Sequence, residues 1–291
     1  MTLEQKAFIL VSGGLIIAMK GLGFMSSATH QLLLLAGGVV LLGVPHGALD
    51  FWVAVKSEVI SSPSSKLTFL LIYGVLALLA GWVWLSHPVI ALCLFLIYGG
   101  YHFSLDWYNR VSRPGALAVG LSVVSVPSLA HGEHVSAIFT TMVGQEVVFL
   151  FPAIQAVALA SGLIVAIEVV QTARYDIALS VELTLIVVAA VMLPPLVFFT
   201  AFFCFLHSIR HLRGIADELY LSPIGLISRS ITFTALTLAF VCVAWMTLGF
   251  QLTWQDKLVN AIFIGLAVLT VPHMLLHLYL ELVRRRAAAQ T

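Results

Sequence analysis

Long apolar runs follow one another along nearly the whole chain, and this repetition constrains the fold more than any other feature. A helix needs about 20 consecutive apolar residues to cross the hydrocarbon core of a bilayer. Of the 291 residues, 61% are hydrophobic and only 9% are charged, whereas a soluble domain carries roughly 25% charged residues. The pattern predicts an all-α, polytopic integral membrane helical bundle in which residues 1–291 form a single transmembrane domain. The formal net charge of +1 gives no basic patch for nucleic acid.

Ten runs qualify as membrane spans, and we give the count as eight to ten because residues 114–151 are less regular than the rest. The ten runs are 6–25, 30–56, 66–86, 88–108, 114–131, 152–171, 176–193, 195–213, 229–251 and 257–283. Residues 132–151 could instead form an amphipathic or re-entrant segment. The double proline Pro194–Pro195 predicts the turn between the seventh and eighth spans.

The distribution of basic residues supports this order of spans. With the N-terminus in the cytoplasm, all but two of the 14 Lys and Arg residues fall on the inner side, the exceptions being Lys20 and Lys257. Cytoplasmic loops of membrane proteins carry such an excess. We therefore expect both termini in the cytoplasm and a multi-pass protein of the cell (inner) membrane.

Ionisable residues recur inside the second, fourth, eighth and tenth spans at one spacing. Each of these spans carries a histidine followed, four residues later, by an aspartate or a second histidine. The pairs are His46 and Asp50, His102 and Asp106, His207 and His211, and His273 and His277. A spacing of four puts both members on one helix face. At 1.5 Å per residue, each pair has a histidine about 9 to 15 Å from the basic residue at the inner end of its span, so the four pairs lie at a similar depth.

Imidazoles that converge at one depth predict a metal site, because histidine is the commonest protein ligand for transition metals. A ligating histidine usually donates its other ring N–H to a carboxylate or carbonyl. Asp50 and Asp106, one turn beyond His46 and His102, are therefore the candidates that would orient the ligating histidines. His273 and His277 are assigned to the same supporting shell, although direct ligation is equally compatible with their position. A lone histidine in a span more often makes a helix-to-helix hydrogen bond, but this does not explain four pairs at one depth.

The remaining histidines fall at span ends or in loops on the outer side. They are His30, His87, His131 and His134. Because these positions lie across the membrane from the four pairs, we expect them to lie outside the metal site.

Four motifs together resemble the bacteriorhodopsin-related protein (Brp/Blh) family. They are PHGALD, GGYHFSLDW, FFCFLHSIRH and VPHMLLH, and they occur in the family's order from the second span to the tenth. Members of this family are integral-membrane β-carotene 15,15′-dioxygenases that produce retinal. The resemblance implies one Fe(2+) held by four catalytic histidines, which are His46, His102, His207 and His211. It also implies β-carotene and O₂ as substrates and two molecules of all-trans-retinal as products.

A ligand set of neutral histidines agrees with that chemistry, because it leaves open positions for O₂ on a six-coordinate iron. Both oxygen atoms enter the two aldehydes, so the reaction needs no reductant. The substrate is an apolar polyene dissolved in the lipid bilayer, which suits a lateral tunnel lined by aromatic side chains. The candidates for that tunnel are Tyr98, Tyr101, Trp107, Phe199, Phe202 and Phe203. The simpler interpretation of each is packing against helices or lipid.

A rhodopsin is the expected downstream partner for the retinal, by analogy only; the sequence sets no oligomeric state. Two other functional classes fit part of the pattern. A di-iron membrane desaturase or hydroxylase would use H-x-x-H-H boxes at the cytosolic surface, and this chain has none. A metal or proton transporter would use the His/Asp pairs as a relay. Transporters often contain inverted repeats, but the second and fourth spans run in the same direction.

Overall fold

The computed structural model describes residues 1–22, 27–247 and 252–288. Within these ranges the chain forms helices joined by short loops, and no strand is present. The predicted all-α fold class is therefore confirmed.

The main helices are numbered α1 to α11 in chain order. They are α1 Leu3–Leu22, α2 Ala28–Lys56, α3 Pro63–Ser86, α4 Pro88–Ser104, α5 Arg113–Ser125, α6 Gly132–Val143, α7 Phe151–Thr172, α8 Ile177–Met192, α9 Pro195–Leu219, α10 Pro223–Thr247 and α11 Trp254–Ala288. Short helical turns follow α4 at Leu105–Trp107, follow α5 at Pro127–Ala130 and precede α7 at Val148–Leu150.

Among the described residues, eight helices are long and apolar enough to cross a membrane. Each of the ten predicted runs falls on a helix, although residues 23–25 and 248–251 lie outside the described ranges. The eight do not include α1 or α8, and α8 is apolar but shorter than the others. The chain is thus a helical membrane protein, while the count of ten spans and the orientation of the termini stay predictions.

Two irregular regions agree with the sequence interpretation. Pro195 begins α9 directly after α8 has ended at Met192, as the double proline predicts. Between α5 and α7, the short helix α6 buries Val135, Phe139 and Met142 and exposes its opposite face. This spacing of three and four residues is that of an amphipathic helix.

The helix α9 lies at the centre of the bundle. Of its most apolar stretch 67% is buried, against 6% for α3 and for α10. Uncovered apolar helix faces of a membrane protein contact lipid tails, which are as apolar as leucine. The side chains of α9 therefore point into the interior, whereas α3 and α10 form part of the outer wall.

Small residues allow α4 and α5 to touch through their backbones. A Cβ atom on Gly120 would lie 2.0 Å from the carbonyl oxygen of Gly100 and 2.6 Å from the amide nitrogen of Ser104. Any side chain at Gly120 would force the two helices apart, as in other small-residue contacts between membrane helices. This contact fixes the end of α4 that carries His102.

Both α2 and α9 contain a π-helical segment, at Val39–Gly43 and at Thr200–Ser208. Such segments are rare and occur frequently at functional sites. In α2 the segment ends three residues before His46, and in α9 it contains His207. The wider turn shifts the side chains that follow it relative to a regular α-helix, so it changes which face these histidines occupy.

Glycines let the two π-helical segments pack against each other. A Cβ atom on Gly38 would lie 2.8 Å from Sγ of Cys204, and one on Gly43 would lie 2.7 Å from Cε1 of Phe203. Larger residues would separate α2 from α9. The absence of side chains at these positions therefore brings the histidines of the two helices within reach of each other.

Candidate metal centre

Five histidine rings from four helices meet in the interior of the bundle. They are His46 on α2, His102 on α4, His207 and His211 on α9, and His273 on α11. Between helices, the centroids of neighbouring rings are 4.8 to 5.6 Å apart. The structure brings together all four histidines that the sequence predicts as ligands, and it adds His273 to them.

The closest approach in this cluster joins two ring nitrogens. Nε2 of His102 lies 3.1 Å from Nε2 of His207. Two nitrogens bound at right angles, each about 2.1 Å from one cation, would lie about 3.0 Å apart. One nitrogen each from His46, His102 and His273 also lie within 4.8 Å of one another. These distances suit ligands that share one metal ion.

Several nitrogens of the cluster have no protein partner. Nε2 of His211 and Nε2 of His273 are buried, and neither has a hydrogen bond within the described part of the chain. Buried polar atoms are nearly always paired, so each exception requires an explanation. A bound cation explains both, because it would take the lone pair of each nitrogen.

Each aspartate of the two His-Asp pairs bonds a histidine on another helix. Oδ2 of Asp106 accepts a hydrogen bond from Nδ1 of His207 at 3.0 Å. Both carboxylate oxygens of Asp50 lie 2.9 Å from Nδ1 of His273. Each aspartate thus holds a histidine of the cluster, as a residue of the supporting shell would, but that histidine lies on another helix and not four residues before it. Nδ1 of His46 has the hydroxyl of Ser208 at 3.3 Å instead.

Local helix geometry explains this difference. Residues i and i+4 share a face only where the helix is regularly α-helical. In α2, a turn at 48–49 separates the two members of the first pair. After α4, the backbone tightens into the 3₁₀ turn Leu105–Trp107, which contains Asp106. With three residues per turn, this segment rotates Asp106 away from the face of His102 and towards α9.

The surroundings of Asp50 are neutral and enclosed. The carboxylate is only 2% exposed, and its Oδ2 accepts a hydrogen bond from the hydroxyl of Tyr73 at 2.9 Å. Nε2 of His277 lies 3.6 Å from Oδ1 of Asp50, and the His277 side chain is 32% exposed at the edge of the cluster. Sequence reasoning missed Tyr73; a phenol hydroxyl within the apolar run of α3 is the signal that could have identified it.

The surroundings of Asp106 are charged. Nη1 of Arg210 lies 3.7 Å from Oδ2 of Asp106, and Nη2 of Arg210 lies 2.8 Å from Oε1 of Glu182. Glu182 is fully buried and also accepts a hydrogen bond from the indole N–H of Trp107 at 2.7 Å. Arg210 lies between the two histidines of the motif HSIRH on α9. Its guanidinium therefore links α9 to the buried acids Asp106 and Glu182. Sequence reasoning used Arg210 only as an indicator of topology.

A cavity of about 240 Å³ lies beside the histidine cluster and touches His46, His102 and His273. Its outer side is formed by residues of α3 and α10, the two helices that are otherwise exposed. The wall is apolar and rich in aromatic rings. These rings are Phe51, Phe69, Tyr73, Phe95, Phe103, Phe199, Phe203 and Phe233. The cavity is therefore suited to an apolar ligand that approaches the histidines.

Two of the six aromatic residues proposed for a tunnel, Phe199 and Phe203, line this cavity, and their rings are stacked 5.1 Å apart. The others that line it were missed, because they lie on α2, α3, α4 and α10, away from the histidine motif of α9. The sequence alone does not show which helices are neighbours.

The other four proposed tunnel residues lie outside the cavity lining. The hydroxyl of Tyr98 donates to the carbonyl oxygen of Ala267 at 2.7 Å and so joins α4 to α11. Tyr101 is 45% exposed on the outside of α4. Trp107 and Phe202 are fully buried and stack against each other on the side of Glu182. Their roles in the structure are packing and hydrogen bonding.

The four remaining histidines lie outside the cluster. His30 and His87 are exposed. The rings of His131 and His134 are 6.3 Å apart, and Nε2 of His131 lies 3.0 Å from the carbonyl oxygen of Val191. Their positions agree with the expectation from sequence.

Comparison with known proteins gives two matches. A family model described as beta-carotene 15,15′-dioxygenase matches residues 37–281. A protein of the uncultured marine bacterium 66A03, named beta-carotene 15,15′-dioxygenase, is 30% identical over 256 residues, which cover 82% of this chain and 90% of the relative. No solved structure matches the chain. The matched range includes all five histidines of the cluster.

Proposed function

This chain belongs to the β-carotene 15,15′-dioxygenase family, and from that premise we propose that it cleaves the central double bond of β-carotene with O₂ to give two molecules of all-trans-retinal. Its membership agrees with the resemblance to the bacteriorhodopsin-related protein family that the four motifs indicate. We further propose that the reaction uses one Fe(2+) held by His46, His102, His207 and His211.

The convergence of imidazoles carries this proposal. Four helices contribute rings to one cluster, and the Nε2 atoms of His102 and His207 are only 3.1 Å apart. Imidazole is a suitable ligand for iron. Asp106 is engaged with Nδ1 of the ligand His207, and Asp50 is engaged with Nδ1 of His273 beside the four ligands, so the donor set stays neutral. The residues present therefore fit a ferrous ion.

The protein residues supply orientation and an apolar environment. When bound, ferrous iron supplies the position at which O₂ is activated towards the alkene. Asp106 holds the proton of His207 on Nδ1 and leaves its Nε2 free to bind metal. Phe103, Phe199 and Phe203 line the cavity next to the cluster and keep water away from the reacting double bond. Since both oxygen atoms enter the two aldehydes, no reductant site is required.

The substrate reaches the histidines from the bilayer in this proposal. β-Carotene is an apolar polyene, and α3 and α10 separate the cavity from the lipid. We therefore propose a lateral entrance on the side of the cavity that these two helices form. The excess of basic residues in the inner loops favours the cell (inner) membrane with both termini in the cytoplasm. Retinal released into this bilayer would be accessible to a rhodopsin.

Expression of the chain in bacteria that accumulate β-carotene tests the proposed function. We expect the cells to lose their colour and the extracts to contain all-trans-retinal. His46→Ala, His102→Ala, His207→Ala and His211→Ala should each abolish cleavage, while His87→Ala, at an exposed position, should retain it. The purified protein should contain one iron per chain. Intact carotene would contradict the proposal, and two irons per chain would favour a di-iron desaturase or hydroxylase.

A further inference from the structure

We infer that His273 is a fifth imidazole ligand of the metal and that Asp50 is the positioning residue that holds its ring. This inference rests on the proposed function, because it concerns the same metal. It assigns roles that the spacing of residues in the sequence did not distinguish.

The position of the His273 ring is the first argument. Its centroid lies 5.6 Å from that of His46, 5.3 Å from that of His102 and 5.1 Å from that of His211. It therefore contacts rings from three other helices. One nitrogen each from His273, His46 and His102 lie within 4.8 Å of one another. A residue in a purely supporting role would be separated from the other ligands by the ring that it orients.

The hydrogen bonds of His273 are the second argument. Both carboxylate oxygens of Asp50 lie 2.9 Å from its Nδ1, and a carboxylate can only accept, so this nitrogen carries the proton. Nε2 then has a free lone pair, and it is buried without a partner in the described structure. A ring that is fixed through one nitrogen by a carboxylate and offers the other to a metal is the usual arrangement of a ligating histidine. Asp106 and His207 form the same arrangement.

His277, one turn further along α11, meets these conditions only in part. Its Nε2 is also buried without a hydrogen bond in the described structure, and one nitrogen each from His277, His211 and His273 lie within 4.8 Å of one another. Its side chain is 32% exposed, and its Nε2 lies 3.6 Å from Oδ1 of Asp50. Within the described residues its ring contacts are with His211 and with His273 on its own helix. It therefore lies at the edge of the cluster, whereas His273 lies between the other ligands.

A fifth neutral ligand changes what the site can accept. Five imidazoles would leave room for one exogenous ligand on an iron that takes six. His46, His102 and His273 all border the apolar cavity. The substrate and the exogenous ligand would then meet on the side of the centre that these three rings face.

Cobalt substitution tests the inference without relying on cleavage. Co²⁺ added to the purified metal-free chain reports its ligands through its visible absorption spectrum. We expect His273→Gly to bind Co²⁺ about 10- to 100-fold more weakly than the wild type and with a changed spectrum. Free imidazole should restore the spectrum by replacing the missing ring. His277→Gly introduces glycine into the same helix and serves as the matched control, with the wild-type spectrum and no response to imidazole.

Further variants keep the test decisive. If His273→Gly fails to fold, His273→Gln keeps most of the side-chain volume and should show the same weakened Co²⁺ binding. Asp50→Asn should weaken binding about tenfold or more while the stoichiometry stays at one. A wild-type spectrum and affinity in the His273 variants, or imidazole rescue of His277→Gly instead, would overturn the inference. Absence of carotene cleavage by the iron-loaded wild type would instead contradict the proposed function.

Discussion

Asp106 and Asp50 each hold Nδ1 of a histidine from another helix, at 3.0 Å and 2.9 Å, but their other neighbours differ in charge. Asp106 faces the guanidinium of Arg210, which also pairs with the buried Glu182. Among the described residues, the further polar neighbours of Asp50 are the hydroxyl of Tyr73 and the edge of His277. The first carboxylate belongs to a network of charges, whereas the second lies against an apolar cavity.

This difference indicates that the two sides of the centre depend on the metal to different degrees. A buried charge is costly unless it is paired. On the Asp106 side, Arg210 supplies the opposite charge within the protein itself. On the Asp50 side, the opposite charge would come from the proposed metal cation on His273 or, without metal, from a proton on that ring. We therefore expect the Asp106 side to be structurally independent of the metal and the Asp50 side to be stabilised by it.

Removal of the charge at the centre of the Asp106 network should have the largest effect on stability. Arg210→Met would remove the guanidinium beside Asp106 and would leave Glu182 with Arg110, whose Nη1 lies 3.6 Å from Oε2 of Glu182. Arg210 itself is only 15% exposed. We expect the free energy of unfolding to fall by about 3–5 kcal/mol. Denaturant titration of the purified protein in detergent micelles measures this change.

Arg213→Gln is the matched control for this prediction. Arg213 lies three residues further along α9, is 43% exposed, and pairs with Glu4. Arg213 is partly exposed, and Glu4, which is 6% exposed, keeps Arg210 at 3.9 Å, so we expect a loss of about 1 kcal/mol or less. Equal losses in the two variants would show that Arg210 has no special role in balancing the buried acids.

In the metal-free protein, replacing each aspartate by asparagine should change the free energy of unfolding in different directions on the two sides. Asp106→Asn leaves the charge of Arg210 less well compensated, so the free energy of unfolding should fall by about 1–3 kcal/mol. Asp50→Asn removes a buried charge that has neutral neighbours, so stability should be unchanged or should rise. A loss of the same size for Asp50→Asn would break the comparison, because it would mean that the Asp50 side is equally well balanced without metal.

Metal removal should loosen the Asp50 side selectively. Chelation should increase amide hydrogen exchange in Asp50–Lys56 and around His273 by about tenfold, which corresponds to about 1.4 kcal/mol of local stability. The segment around Asp106 and Arg210 should change much less. Hydrogen-exchange mass spectrometry with and without chelator measures both regions in one sample, and uniform loosening would contradict the proposed division.

The global fold was readable from the sequence because the length and spacing of apolar runs are set by the bilayer. The positions of His46, His102, His207 and His211 were readable as well, because equal depth in parallel spans is a one-dimensional property of the chain. Depth says nothing about rotation around each helix axis. That rotation depends on the turn at 48–49, the 3₁₀ turn after α4 and the π-helical segments.

The sequence could not predict the hydrogen-bond partners of the aspartates either, because it does not show how each helix is rotated about its axis. Asp50 reaches α11 and α3, and Asp106 reaches α9, and these pairings depend on which helices are neighbours. Close backbone contacts at glycines determine which helices pack together. Gly120 brings α5 against α4, and Gly43 brings α2 against α9. A glycine in an apolar run does not indicate which helix it will touch.

The smallest predicted effect compares two phenylalanines on α9 that face opposite sides of the centre. Phe199 lines the cavity beside the Asp50 side, whereas Phe202 is fully buried against Trp107 on the Asp106 side. We expect Phe199→Leu to raise KM for β-carotene about two- to fivefold, since the lost ring contacts amount to under about 1 kcal/mol. Phe202→Leu should leave KM unchanged and lower the free energy of unfolding by about 1 kcal/mol. Retinal formation in detergent micelles measures KM, and denaturant titration measures the free energy of unfolding.

A larger KM change in Phe202→Leu than in Phe199→Leu would contradict binding of β-carotene in the cavity beside Asp50. Because the substitutions are identical and only three residues apart, a difference between them reports the side of the centre rather than the chemistry of the change.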